Sequence, residues 1–227
     1  MNRNWEALYD LQNRVIARMS GIEQGFYLTG GTALSRGYYG HRYSEDLDFF
    51  VNYSPSYGVW RDNCFAVLEQ ASKEEGWSLE ISLRGEYFGR AFVHGAEVLK
   101  LEFVNDVPSR VGVPWRHPVL GMLDTRENIL ANKITAFIDR RAAKDAADLY
   151  WLCCEDGLNI MDALVGASGK AAGVFPPYVA KELDRWSTAG VPNVMWLKRP
   201  EPARFAEGFS RLVEMIMADD QPASHRV

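Results

Sequence analysis

The residues of this chain best suited to chemistry lie between Gly30 and Phe50, in GGTALSRGYYGHRYSEDLDFF. Asp46 and Asp48 form a D-x-D pair in an apolar run that reads as a strand. Successive strand side chains alternate faces, so the two carboxylates point one way while Leu47 and Phe49 point into a core. Two like charges on one face repel, and a hard divalent cation with oxygen ligands, magnesium or manganese, relieves that repulsion. A third carboxylate is available in VLKLEFV, where Glu102 shares a face with Lys100 and Leu101 and Phe103 turn inward. Asp46, Asp48 and Glu102 are therefore the expected metal ligands.

The turn Gly30-Gly31-Thr32 fits the same chemistry. Glycines let a backbone approach a ligand closely, and the start of the following helix presents unpaired amides that attract phosphate. A phosphate cradle beside an acidic pair suits phosphoryl or nucleotidyl transfer, where positioning and charge stabilisation dominate and two cations roughly 3.5 to 4 Å apart hold the attacking and leaving oxygens. An isolated D-x-D is more often a solvated strand edge and a lone Gly-Gly merely a turn. Here both occur together, with a later acidic strand. Arg42 and Ser44, just upstream of the pair, are further candidates for nucleotide contact, although His41 and Arg42 read equally well as an exposed turn bracing Glu45 and Ser44 as a turn residue. His94 and His117 lack partners at metal-ligand spacing and read as structural.

Elements must position these groups. Residues 4–20 read as an amphipathic helix capped by Asn4. A short strand over 25–29 leads into the glycine turn and a helical start near Thr32. The acidic strand, 46–51, is followed by a helix over 59–75 and three strands over 78–84, 87–94 and 97–104, joined by hairpin signals at Gly85-Glu86 and Gly95-Ala96. Prolines 108, 114 and 118 with Gly112 mark 107–120 as an irregular connector. Beyond it, 126–140, 144–154, 159–165, 177–186 and 202–217 carry helical periodicity, and 218–227 read as a frayed polar tail. The expected fold is α+β: a small mixed sheet with flanking helices in a catalytic core, 1–106, then a connector and helical lobe, 107–227, completing the active site. On the first helix of that lobe Lys133 and Arg140 share a cationic face. Arg141 with Asp145 and Lys144 with Asp148 read as ordinary i,i+4 pairs.

Composition narrows the class. The chain has 227 residues, 47% hydrophobic, with 25 basic against 30 acidic residues and a net charge of -5. The whole molecule therefore exerts no general pull on nucleic acid, and a polyanionic partner must be held by a local patch. Arg110, Arg116, Arg126, Lys133, Arg140, Arg141 and Lys144 form a basic-leaning stretch able to dock phosphates. The three cysteines form neither a disulfide framework nor a zinc spacing, which points to a reducing cytoplasm. The N-terminal segment lacks the apolar run of a signal peptide or membrane span.

From about Gly25 to Tyr150 the chain resembles DNA polymerase β-type nucleotidyltransferases, and among them the AbiEii/AbiGii-type toxin family. The resemblance rests on GGTAL with GHRYSEDLDFF, on KLEF, and on ENILANKITAFIDRRAAKDAADLYWL. It implies that Gly31 and Thr32 meet the nucleotide phosphates, Asp46 and Asp48 the metals and Lys133 the nucleotide, with Asp148 a further active-site acid that could position or deprotonate an attacking hydroxyl. Two departures stand out: Glu102 where an aspartate is usual, and Lys144-Asp145 where the family often has Arg-Asp. The implied activity is transfer of a nucleotide from an NTP to a hydroxyl acceptor, RNA and particularly a tRNA end, by the toxin of a toxin–antitoxin pair with a cognate antitoxin protein. The residues alone leave two alternatives: a transferase acting on a small molecule, of the antibiotic-modifying type, and a catalytically silent nucleotide-binding module.

Overall fold

The computed structural model describes residues 3–219. Its first element, α1 (Trp5–Met19), begins where expected because the Asn4 side chain accepts a hydrogen bond from the Ala7 amide, and it buries Leu8, Leu11, Gln12, Val15, Ile16 and Met19 along one stripe. β1 (Tyr27–Thr29) runs into a single helical turn, α2 (Gly30–Thr32), which continues as a π-helical stretch over Ala33–Tyr39. β2 (Leu47–Asn52), α3 (Tyr57–Glu75), β3 (Ser78–Arg84), β4 (Phe88–His94) and β5 (Val98–Asp106) follow, each within two residues of its sequence-based bounds.

The connector is less irregular than its prolines suggest. It contains β6 (Trp115–His117), which pairs antiparallel with β7 (Gly121–Leu123), and β7 lies parallel to β1. Three-residue strands are too short to show alternation, so the pattern that reveals β2 to β5 was silent here. His117 is structural, its Nδ1 accepting from the amides of Val119 and Leu120 at 3.1 Å.

The result is one seven-stranded mixed sheet in the order β3-β4-β5-β2-β1-β7-β6. Leu47 and Phe49 of β2 turn to the buried face with Leu101 and Phe103 of β5. Phe103 gathers Phe26, Phe49 and Phe65 around it at ring separations of 5.2 to 5.4 Å, and α1 and α3 pack against that core. The opposite faces of β2 and β5 carry the half-buried Asp48 and Glu102.

The chain folds as two compact units. The first comprises the residues up to Tyr38, Tyr43–Pro108 and Val113–Asp124, and so holds the whole sheet. The second comprises Tyr39–Arg42, Ser109–Gly112 and the chain from Thr125 onward. Its helices are α4 (Arg126–Arg140), α5 (Ala143–Tyr150) with a π-helical extension over Trp151–Glu155, α6 (Ile160–Ser168), α7 (Pro176–Ala189) and α8 (Pro202–Asp219). Thr125 caps α4 by accepting from the Asn128 amide. The tail read as frayed begins inside α8, and residues 220–227 lie outside the described residues. Among the described residues no helix is long and apolar enough to cross a membrane.

Candidate active site

In the first unit the sheet register places four functional positions in one row. Thr29 of β1 stands opposite Asp48 of β2, Asp48 opposite Glu102 of β5, and Glu102 opposite Arg90 of β4. Register partners share a sheet face, so Asp48 and Glu102 project on the same side. Asp46 sits one residue before β2, where the chain is fixed from three directions. The Thr32 hydroxyl donates to the Asp46 carbonyl and lies 3.0 Å from the Ser44 hydroxyl. Gln12 of α1 donates to the carbonyls of Ser44 and Glu45 at 3.2 and 2.9 Å, and the Ser44 amide donates to the Tyr9 hydroxyl. Ser44 thus braces the strand entry and, with Thr32, is buried.

The glycine turn meets the acidic pair directly. Gly30 has φ +71°, in the left-handed region, and a Cβ there would stand 2.4 Å from Asp48 Oδ2. Only a residue without a side chain satisfies both constraints, so the turn and the carboxylate are built against each other. Gly31 and Thr32 form the helical turn beyond it.

The electrostatics differ from three bare carboxylates. The Lys100 ammonium lies 3.0 Å from Asp46 Oδ2 and 3.2 Å from Glu102 Oε1, and Arg90 approaches the same Glu102 oxygen at 2.7 Å through Nη2. Partial burial pulls the Lys100 pKa down, but Asp46 and Glu102 outweigh it and leave the ammonium raised. For Glu102 burial pushes upward, and Lys100 and Arg90 overcome it, holding the carboxyl below its usual range. Among the described residues no three His, Cys, Asp or Glu side chains gather as a ready-made metal nest. Glu102, expected as a third ligand, is instead engaged by two cationic side chains. The reason is that β5 supplies Lys100 on the same face two residues away, which no argument from carboxylates alone could weigh. The donor chemistry still fits a hard cation: Asp46 and Asp48 are half-buried carboxylates, and Asp46 already holds a positive charge at 3.0 Å.

The second unit contains a different cluster. Asp148 of α5 is fully buried. Its Oδ1 accepts from His41 Nε2 and Arg42 Nε, each at 2.7 Å, and its Oδ2 from Arg42 Nη2 at 2.7 Å and Lys133 at 2.6 Å. Lys133 also reaches Asp145 at 3.0 Å, and Arg140 grips Asp145 through Nε and Nη2 at 2.6 and 2.7 Å. Burial would raise the Asp148 pKa, but Arg42, Lys133 and His41 drive it far below the carboxylate range. His41 is pushed below its ordinary value, foremost by burial, against the pull of Asp148 and with Arg42 and Lys133 adding to the lowering. Its backbone carbonyl accepts from the amides of Leu197 and Lys198 at 2.9 Å.

Several expectations are corrected here. His41 and Arg42 are neither an exposed turn nor directed at phosphate: both are buried and turned onto Asp148, with the planar guanidinium in a bidentate grip. Lys133 is likewise not on an open cationic face, being only 5% exposed between two aspartates. Asp145 pairs with Arg140 and Lys133 rather than Arg141, which adopts a left-handed backbone and pairs with Glu182 at 3.1 Å. Asp148 pairs with Arg42 and Lys133 rather than Lys144. A carboxylate held so far below its usual range, with both oxygens engaged, is a poor base for a hydroxyl. No local signal announced these partners, since 106 residues separate Arg42 from Asp148.

The comparisons agree with this architecture. Residues 14–222 match the family described as nucleotidyl transferase AbiEii toxin, Type IV TA system. Among solved structures the chain is similar to JHP933 of Helicobacter pylori, at 21% identity over 96% of this chain and 94% of that one, with a TM-score of 0.63. It is also similar to the nucleotidyltransferase toxin MenT4 of Mycobacterium tuberculosis, at 17% identity over 96% of this chain and 85% of that one, with a TM-score of 0.59. At these identities the structural likeness speaks to the fold. No curated protein matches the chain.

Proposed function

This chain belongs to the AbiEii family of nucleotidyltransferase toxins, and we propose that it transfers a nucleotide from an NTP to a hydroxyl on RNA, a tRNA end being the favoured acceptor. The observation that carries this reading is the close fit of Gly30 against Asp48 Oδ2. It joins a backbone turn able to receive phosphate to a carboxylate able to hold the metal that neutralises it. In this reading Gly30, Gly31 and Thr32 cradle the triphosphate, and Asp46 and Asp48 hold magnesium or manganese. When bound, such an ion stabilises charge on the reacting phosphoryl group. Glu102 acts differently from the earlier expectation. Itself held by Arg90, it pairs with Lys100, which supplies positive charge beside Asp46 until a divalent ion takes that role. Asp148, Lys133, His41 and Arg42 hold one another in the second unit. Their role in this reading is structural.

A cognate antitoxin partner fits the family's description as the toxin of a Type IV system; the RNA acceptor and a cytoplasmic setting are part of the proposal and rest on the resemblance of the sequence motifs. Incubation with each labelled NTP, total RNA and magnesium tests the assignment. Label should appear in small RNA with the wild type and vanish with Asp46→Ala and Asp48→Ala. Label that persists in those variants, or that enters a small-molecule acceptor while RNA stays unlabelled, overturns it.

A further inference from the structure

The sheet unit holds a cavity away from Asp46 and Asp48. It lies where β2 and β5 end, has a volume of about 610 Å³, and is lined by Tyr53, Tyr57, Arg61, Arg84, Tyr87 and Asn105 among others. That volume is ordinary for a small-ligand site. Its floor is fixed. The Tyr57 hydroxyl donates to the Phe103 carbonyl at 3.0 Å. Arg61 is 8% exposed, and its guanidinium donates to Asp62 and to the Gly85 carbonyl and stands 5.4 Å from the Tyr57 ring centre. Gly89 leaves room for it, since a Cβ there would come within 2.6 Å of Arg61 Cδ.

The walls are built differently. Tyr53 is 70% exposed and Tyr87 54% exposed, both at the rim, so neither ring packs into a core. Tyr53 nevertheless has φ +44°, a left-handed conformation unfavourable for an aromatic residue. It is held there by its own amide on the Asp106 carbonyl at 2.8 Å, and by Asn105, which accepts from the Ser54 amide at 2.8 Å and donates to the Ser54 carbonyl at 3.1 Å. A strained backbone that presents an unpacked ring beside a cavity suits the binding of a flat ligand. The half-exposed Arg84 guanidinium adds positive charge at the rim, 4.0 Å from Asp62. Glu86, also in the lining, offers an acceptor. Exposed aromatic faces beside guanidinium groups are the means by which proteins hold unpaired bases and their phosphates.

We propose that this cavity binds one unpaired nucleotide of a single-stranded RNA, its base against Tyr53 and Tyr87 and its phosphate at Arg84. Tyr53 is five residues beyond Asp48 along an extended chain, about 17 Å at strand spacing. One nucleotide cannot bridge that span, whereas a strand whose end lies at Asp46 and Asp48 can. The role in catalysis rests on the RNA-acceptor reading above; binding at the cavity does not.

The test uses the full chain, a short fluorescein-labelled single-stranded RNA, the same RNA annealed to its complement, and fluorescence anisotropy. Tyr53→Ala with Tyr87→Ala should weaken single-strand binding about tenfold or more, as loss of a stacked base does. R84E should weaken it comparably, Tyr53→Phe with Tyr87→Phe should restore it, and duplex binding should not change. These are rim positions, and unchanged urea midpoints will show that the variants fold. Single-strand affinity that stays within about twofold in every variant, less than one stacked base contributes, overturns the proposal. So do equal losses on duplex and single strand, or variants that keep RNA affinity but escape a protein antitoxin. The two readings separate cleanly. Label transfer to RNA with cavity variants that bind normally rejects the cavity alone, and weakened binding by those variants without any transfer to RNA rejects the acceptor reading alone.

Discussion

Replacing Asp148 with Asn distinguishes a structural carboxylate from a catalytic one. The side chain has no exposure and accepts at 2.6 to 2.7 Å from His41, Arg42 and Lys133. Asparagine keeps the shape but removes the charge, and its amide nitrogen must face a donor. Lys133 retains Asp145, whereas Arg42, itself 4% exposed, keeps at most one of its two bonds to this side chain and loses the carboxylate's negative charge. Breaking a buried pair in this way costs about 3–5 kcal/mol, because a charge stays buried without its counterion. With a urea slope of about 3 kcal/mol per molar, the unfolding midpoint should fall by about 1–1.7 M. The assay is urea denaturation followed by circular dichroism at pH 7.5. Arg42→Met should cost less in the Asp148→Asn background than in the wild type, since the two changes remove one interaction. A midpoint unchanged in Asp148→Asn while nucleotide transfer is abolished would refute this reasoning and restore Asp148 as the group acting on the attacking hydroxyl.

Three more outcomes follow from the geometry. Lys100→Gln removes the ammonium beside Asp46 and Glu102, so manganese binding by calorimetry should tighten several-fold, in line with about 1 kcal/mol for partly exposed charges; equal or weaker binding counts against Lys100 as a stand-in cation. Gly30→Ala puts a methyl group against Asp48 Oδ2 at a left-handed backbone position, so transfer should be lost and stability should fall by at least about 1–2 kcal/mol; a fully active variant refutes the close fit. Acid should act in two stages. His41 is held below its ordinary 6.5, so the unfolded chain takes up its proton first, and stability present above about pH 6.5 is lost as the pH falls through that window. Asp148 lies well below 3.8, so its contribution is present above that value and lost only beneath it. Urea midpoints between pH 8 and pH 3 should show His41→Gln shrinking the first stage, with His117, also lowered by burial, keeping part of it; an unaltered first stage sinks the assignment to His41.

What the sequence determined by itself was whatever short-range pattern encodes. The alternation of Leu47, Phe49, Leu101 and Phe103 with acidic residues set β2 and β5 and the face carrying Asp48 and Glu102, because a strand repeats every two residues. Asn4 marked a helix start because a cap acts within three residues. The pairing of glycine turn and acidic strand was also legible, since both lie within nineteen residues of chain, Gly30 to Asp48. Tertiary structure alone decided which charge meets which. Lys100 could have faced solvent, and only the register of β2 with β5 and the path of the chain before Leu47 bring it to Asp46. Arg42 and Lys133 read as surface cations until the fold brought Asp148, 106 and 15 residues away in the chain, between them. Hydrophobic periodicity is a local property and survives in the one-dimensional string. Ion pairing depends on distance in space, and that distance does not exist until the chain has folded.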